Sequence, residues 1–209
     1  MKRPLLEIAD EIRAIASTGL HFTEGHFDQE RYERLLEVAV RLASLAGDHS
    51  EAEIRALYAS ADEGYVTPKL DTRMALFRGD QVLLVQERAD ERWALPGGYV
   101  DIGDSPAGAA ERETSEEAGL EVRAVRLAGV FDYRLHPQAP PTLFHIHKLV
   151  FVGRALEPDK APCAGPEVMD ARFCALDDLP PLSEGRTLPV HIEVARTIAS
   201  DPDQPTYFE

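Results

Sequence analysis

Cysteine, positive charge and long apolar runs are what this chain has least of. Its two cysteines, Cys163 and Cys174, cannot build a disulfide framework or a metal-ligand set and read as reduced residues in or near a core. Lysine and arginine number 22 against 37 aspartates and glutamates, a formal net charge of −15. Such a surface repels nucleic acid and anionic lipid, so an anionic ligand would need cations to intervene. No apolar run approaches the roughly 20 residues of a membrane helix. The opening stretch MKRPLLEIADEIRAIAS meets Glu7, Asp10 and Glu11 where a signal peptide stays uncharged, which predicts a cytoplasmic protein.

What is present suits a globular chain of one good-sized domain plus an appendage. Leu5, Ile8, Ile12 and Ile15 keep helical spacing, with Gly19 as a stop. A second helix is expected from Asp28 as N-cap, with Phe27 and Tyr32 as a hydrophobic staple and Leu35, Leu36, Ala39, Leu42 and Leu45 on one side. Ser50 and Glu53 form a capping-box pattern opening a third, with Ile54, Leu57 and Tyr58. Three short helices make a small core, so they are expected to lean on the next domain or on a second copy.

"DEGYVTPKL", Asp62 to Leu70, reads as the junction, and strand patterns follow it. Met74, Leu76, Val82 and Leu84 alternate around the turn Arg78-Gly79-Asp80. Trp93 to Leu95 is a short strand with Trp93 read as core, contact with a base being the alternative; Val122 to Tyr133, Thr142 to Arg154 and a segment closed by Phe173 are others. A last helix spans about Thr187 to Ser200. The expected organisation is a helical domain over residues 1–64 and an α+β domain with a mixed sheet over 69–205.

The segment GGYVDIGDSPAGAAERETSEEAGL, Gly97 to Leu120, concentrates acid on a chain already rich in it. Ser105 suits an N-cap, Pro106 the first helical position and Gly119 the exit. Ala107, Ala110, Thr114 and Ala118 make a narrow stripe of small side chains, and Glu113, Glu116 and Glu117, spaced i, i+3, i+4, fall beside it. Two carboxylates about 5.5 Å apart repel by roughly 1 kcal/mol in water and ~3 kcal/mol at an intermediate dielectric. Spacing alone leaves a metal site and a plain solvated acidic face both open. The glycines Gly97, Gly98 and Gly103 favour the metal site, because they let backbone approach the helix closely. Mg²⁺ and Mn²⁺ are the ions that prefer carboxylate oxygens.

This stretch resembles the Nudix box, G-x5-E-x7-R-E-U-x-E-E-x-G-U with U a bulky aliphatic residue. Gly98, Arg112-Glu113, Glu116-Glu117 and Gly119-Leu120 match; Asp104 stands where the box has Glu, and Thr114 where it has an aliphatic residue. On the buried stripe the Thr114 hydroxyl is expected to bond a carbonyl one turn back. Asp104, one methylene shorter than Glu, bears on any positioning role at that place. The resemblance implies a Nudix α/β/α sandwich that hydrolyses a nucleoside diphosphate linked to a group X, with Glu113, Glu116 and Glu117 holding Mg²⁺ or Mn²⁺. It implies a catalytic role for Glu116 and for Arg112 as an orienting partner of a glutamate; the alternative for Arg112 is a surface partner of Glu116. Glu167, six residues before Phe173, is placed as a further metal ligand or general base, with a plain loop carboxylate as the alternative. Gly98, Asp132, Arg134 and His136 are the substrate-side candidates. His145 and His147, expected on one strand face, are read as structural in preference to a zinc site, and Lys148, on the opposite face, is left without a role.

Beyond the box, "YVTPKLDTRMALF", "FDYRLHPQAPP" and "LDDLPPLSEGRT" resemble a subgroup with an N-terminal helical domain, including enzymes similar to CDP-choline pyrophosphatase. That likeness implies a homodimer joined through the helices and a small-molecule substrate, with neither nucleic acid nor membrane as partner. CDP-choline, giving CMP and phosphocholine, leads; ADP-ribose, giving AMP and ribose 5-phosphate, is its rival. A non-catalytic nucleotide-sugar sensor is the reading from another class, opposed by the intact acid triplet. RNA end-processing is opposed by the acidity of the chain.

Overall fold

The computed structural model describes residues 2–59 and 64–209; Asp62 and Glu63, at the start of the expected junction, lie outside the described residues. The chain divides into two compact units, Met1–Lys69 with Pro141–His145 and Leu70–Pro140 with Ile146–Glu209. No helix among the described residues is long and apolar enough to cross a membrane.

The helical unit holds α1 (Lys2–Phe22), α2 (His26–Ala46) and α3 (Glu51–Ala59). Its core is Leu6, Ala9, Val40, Ala43, Ala46 and Ile54. The face of α1 differs from the expected one: Leu6, Ala9 and Ala16 are buried, while Ile8 and Ile15 are exposed. Alanines win because α1 and α2 pack closely, which small side chains permit. Gly19 does not stop the helix either; a Cβ there would lie 2.4 Å from the Tyr32 ring, so glycine admits the aromatic ring mid-helix. Gly25, not Asp28, caps α2, and Asp28 instead pairs with Arg31. Phe27 is solvent-exposed, so the expected staple is absent. The capping box of α3 forms as expected, Ser50 N–H donating to Glu53 at 2.8 Å and Glu53 N–H to the Ser50 hydroxyl at 3.3 Å. Residues 141–145 belong here: Leu143 packs on the core, and His145 N–H donates to the buried Asp10 at 3.0 Å.

In the second unit a seven-stranded sheet runs in the order β3-β2-β1-β5-β4-β7, with β6 also paired to β2. The strands are β1 (Lys69–Arg78), β2 (Gln81–Glu87), β3 (Trp93–Ala94), β4 (Val122–Asp132), β5 (Ile146–Ala155), β6 (Val168–Ala175) and β7 (Tyr207–Phe208). β4 pairs antiparallel with β5 and parallel with β7, which makes the sheet mixed. Gly79, at φ 58°, turns β1 into β2. The expected strand from Thr142 starts only at Ile146, because the preceding residues bond within the helical unit.

Period-two alternation sends each strand's apolar residues to two cores. Met74, Leu76, Leu83 and Val85 meet α4 (Pro106–Ala118) through Ala110 and Ala118. Ala75, Val82, Leu84, Val150 and the buried Trp93 meet α5 (Pro189–Ser200) through Ile192, Ala195 and Ile198. Helices cover both faces of the sheet, the α/β/α arrangement expected. Ile192 is 2% exposed at the centre of the second core. Ile192→Ala is expected to lower unfolding free energy by about 2–5 kcal/mol in urea titration, with the denaturant slope unchanged.

Candidate metal and phosphate site

The site grows from a loop that only glycine permits. After β3 the chain passes through Leu95, whose N–H donates to the Thr187 hydroxyl at 2.9 Å and whose carbonyl accepts from Arg73 Nη1 at 3.2 Å. Met74 N–H to Pro96 O and Thr72 N–H to Gly98 O then tie the loop along β1. Gly97 sits at φ 142°, and a Cβ there would lie 2.0 Å from the Thr72 carbonyl oxygen. Held so, Gly97 N–H donates to Glu117 Oε2 at 2.9 Å. At Gly98 a Cβ would approach the Glu113 carboxyl carbon at 3.3 Å, so the missing side chain leaves room for that carboxylate.

The helix supplies the acids. Ser105 accepts from Gly108 N–H at its start, and Gly119 leaves it at φ 65°. Thr114, fully buried, donates to the Ala110 carbonyl at 2.7 Å, the satisfaction its position requires. Glu111 faces elsewhere, accepting from Ala124 N–H at 2.9 Å and from Arg123 at 3.1 Å, and so locks α4 onto β4. Glu113, Glu116 and Glu117 remain. Arg112 Nη1 donates to Glu113 Oε1 and Glu116 Oε2, both at 2.9 Å. It therefore bonds Glu113 as well as Glu116. The shorter Asp104 still reaches it, accepting from Arg112 Nε and Nη2 at 3.3 Å each.

Each of the three glutamates has one oxygen in these bonds and keeps the other, Glu113 Oε2, Glu116 Oε1 and Glu117 Oε1, outside any hydrogen bond among the described residues. Burial raises the Glu117 carboxyl to about 7 against the pull of the Gly97 amide, and the charges of Glu87 and Glu113 add to the rise. Burial raises Glu113 as well. Unshared hard oxygens suit a divalent cation, which would favour the charged forms of Glu113 and Glu117 against their burial.

Behind these acids lies a buried charge cluster that sequence reasoning missed. Arg73 grips Asp71 through two bonds, 3.0 and 2.7 Å, and Lys148 Nζ reaches Asp71 at 3.0 Å. Burial works against ionising Asp71, but the charges of Arg73 and Lys148 hold its carboxyl below the usual range. Lys148, read as unassigned, is pushed down to about 8 by burial. The signal available was the i, i+2 pattern Asp71-Thr72-Arg73, which puts two charges on one face of a strand that must be buried. Glu87, at a bulge in the β2–β6 ladder, is 8% exposed and bonded by Arg186 at 2.9 Å.

The other expected residues are more scattered. Glu167 is exposed just before β6; its loop is fastened to the end of α4 by Cys163 N–H to Ala118 O and Gly165 N–H to Glu117 O, but its carboxylate has no partner among the described residues. Asp132 accepts from Arg134 N–H at 2.9 Å, closing a short turn, and its own N–H donates to Glu209 at 2.8 Å. His136 lies 3.0 Å from a Glu209 oxygen. The β4–β5 ladder sets Asp132 across from His147, a neighbouring carboxylate that the sequence reading did not give this histidine. His145 precedes β5 and shares no strand with His147.

A sign follows from Glu117. Its folded pKa lies above the unfolded 4.5, so its contribution to stability is present below about pH 4.5 and is lost as pH rises through about 7. That shift corresponds to about 3 kcal/mol at most. Without divalent ions the protein should lose stability between pH 5 and 7.5 in urea titrations. Glu117→Gln should flatten that slope, and Mg²⁺ should restore wild-type stability at the upper pH.

Comparison with known proteins places this geometry. The NUDIX domain family matches residues 67–194, and the family described as "UDP-X-like, N-terminal oligomerisation domain" matches residues 3–58. "Putative ADP-ribose pyrophosphatase YjhB" of Bacillus subtilis is 38% identical over 206 residues, covering 98% of this chain and 96% of its own. Among solved structures, an ADP-ribose pyrophosphatase from Streptococcus suis shares 34% identity at TM-score 0.61, over 68% of this chain and all of that one. A UDP-X diphosphatase shares 29% identity at TM-score 0.62, over 100% and 99% of the two chains. A helix that offers three glutamates to a glycine-bound loop, and a relative matching over nearly the whole length, lead to one conclusion: the chain belongs to the Nudix hydrolase family.

Proposed function

We propose that this hydrolase cleaves the diphosphate of ADP-ribose, giving AMP and ribose 5-phosphate, with Mg²⁺ or Mn²⁺ held by Glu113, Glu116 and Glu117. The observation that carries the metal reading is that Glu113, Glu116 and Glu117, on one face of α4, each keep one carboxylate oxygen outside any hydrogen bond among the described residues. The names of the Bacillus subtilis and Streptococcus suis relatives move the substrate from the expected CDP-choline to ADP-ribose. A UDP-linked substrate is the second reading, favoured by the full-length likeness to the UDP-X diphosphatase. Bound at the glutamates, the ion supplies charge neutralisation of the diphosphate and a more acidic water. Arg112 orients Glu113 and Glu116, Gly97 N–H orients Glu117, and Asp104 steadies Arg112. Glu167, on a loop fastened to the end of α4, is the general base or a further ligand, while Gly98, Asp132, Arg134 and His136 form the substrate side.

A panel of ADP-ribose, UDP-linked sugars and CDP-choline with Mg²⁺ or Mn²⁺ tests the reading. ADP-ribose should turn over fastest, and equal or greater turnover of CDP-choline would overturn the substrate. Glu116→Gln and Glu167→Gln should each lower kcat by about 10²–10⁴, as expected for lost acid–base or metal function, with stability little changed. Undiminished turnover in Glu167→Gln removes that residue from the site.

The helical domain over residues 1–64 is proposed as a dimerisation element, on the strength of its family description and the exposed Ile8 and Ile15. Light scattering should give a dimer mass. The double change Ile8→Glu and Ile15→Glu should give a monomer; a monomeric wild type would refute the assignment.

A further inference from the structure

One cation of the α+β unit has no place in the chemistry above. Arg186 stands on the loop that carries "LSEGRT", and that loop is stitched to β3 on both sides. Trp93 N–H donates to Pro181 O at 3.0 Å, Ser183 N–H donates to Trp93 O at 2.8 Å, and Thr187 takes the Leu95 N–H. Arg186 is thus built onto the same short strand that delivers Gly97 to Glu117. Its guanidinium is held twice, Nε in an ion pair 2.9 Å from Glu87 Oε1 and Nη1 donating to the Ser183 hydroxyl at 3.3 Å. The Ser183 hydroxyl is itself fixed by donating to Asp90 at 2.7 Å. Nη2 has no hydrogen bond among the described residues, and the side chain is 35% exposed.

The neighbouring cations are differently placed. Arg112 spends its donors on Glu113, Glu116 and Asp104. Arg73 is buried and turns toward Asp71 and Leu95 O, and Lys148 is buried against Asp71. Arg186 alone of these four combines a fixed guanidinium, a free N–H edge and contact with solvent. Glu87 links it to the acids, since that carboxylate holds Arg186 and lies close enough for its charge to act on Glu117. The Arg186 charge likewise acts on Tyr99, the residue after Gly97-Gly98.

We propose that Arg186 is a substrate-binding residue that donates its free Nη2 edge to a non-bridging oxygen of the diphosphate. The proposal rests on the diphosphate-hydrolase reading above. An acidic chain gains from a cation at this place, and a guanidinium already held by Glu87 and Ser183 loses little freedom when the anion arrives. Its planar donors also suit phosphate oxygens better than an ammonium would.

The test compares Arg186→Ala and Arg186→Lys with Arg196→Ala, an exposed arginine on α5 that pairs with Asp80. Two measurements are made on each: steady-state hydrolysis of ADP-ribose, and calorimetric binding of inorganic pyrophosphate with Mg²⁺. Arg186→Ala should raise KM and weaken pyrophosphate binding by about 10- to 100-fold, the range for one hydrogen bond to a charged group. Its kcat should change less than the KM. Arg186→Lys, which keeps the charge and the fold, should recover part of the loss, and Arg196→Ala should behave as wild type. An unchanged KM in both Arg186 variants, an equal effect in Arg196→Ala, or a wild type that binds no pyrophosphate overturns the proposal. Pyrophosphate binding that depends on Arg186 without hydrolysis of any substrate would overturn the enzymatic reading and leave this one standing.

Discussion

The Glu117 carboxylate, sunk between α4 and the loop after β3 and held by the Gly97 amide, is the constraint around which the α+β unit is arranged. Placing that amide requires a positive φ and a backbone that passes within contact of the Thr72 carbonyl, which removes every side chain from position 97. The loop is also tied down: Leu95 is bonded through its N–H to Thr187 and through its carbonyl to Arg73, while Pro96 and Gly98 bond to β1. From the other side, α4 reaches the sheet because its inward face is alanine and a self-satisfied threonine. Glycine in the loop and alanine in the helix serve one end, bringing a carboxylate to a place where water alone cannot stabilise it.

That placement is unfavourable for an isolated carboxylate, and the surroundings answer it in layers. Arg112 binds Glu113 and Glu116 on the solvent side, and Asp104 braces it. Underneath, Asp71, Arg73 and Lys148 form a buried cluster whose charges are matched by hydrogen bonds. Glu87 and Arg186 close a third side. The arrangement leaves unshared oxygens on three acids, the oxygens proposed above to hold a divalent ion.

Much of this was legible in the residues. Ser105, Pro106 and Gly119 mark the ends of α4 because capping and left-handed exit are local chemistry. Thr114 had to find a carbonyl one turn back, since no other acceptor is local to a buried helix face. The register of α1 was misread, because Ile8 and Ile15 are more hydrophobic than the alanines that actually pack, and hydrophobicity does not reveal which face approaches a neighbour closely. Gly19 looked like a stop for a similar reason: only the Tyr32 ring beside it explains a glycine inside a helix.

By itself the sequence determined the helix of acids, its glycine loop, the alternation of the strands and the family to which they belong, because each depends on spacing within a few residues. Only the tertiary structure decided that Asp104 is long enough to hold Arg112, that Glu111 locks the helix to β4 instead of joining the acids, and that Glu117 is the buried one of the three glutamates. It likewise brought Arg73 and Lys148 to Asp71, Arg186 to Glu87, and the charges of Arg73 and Glu87 close enough to act on Glu117. These residues lie on β1, β2, α4, β5 and a distant loop, and an electrostatic field is a sum over what is near in space, which no local pattern records.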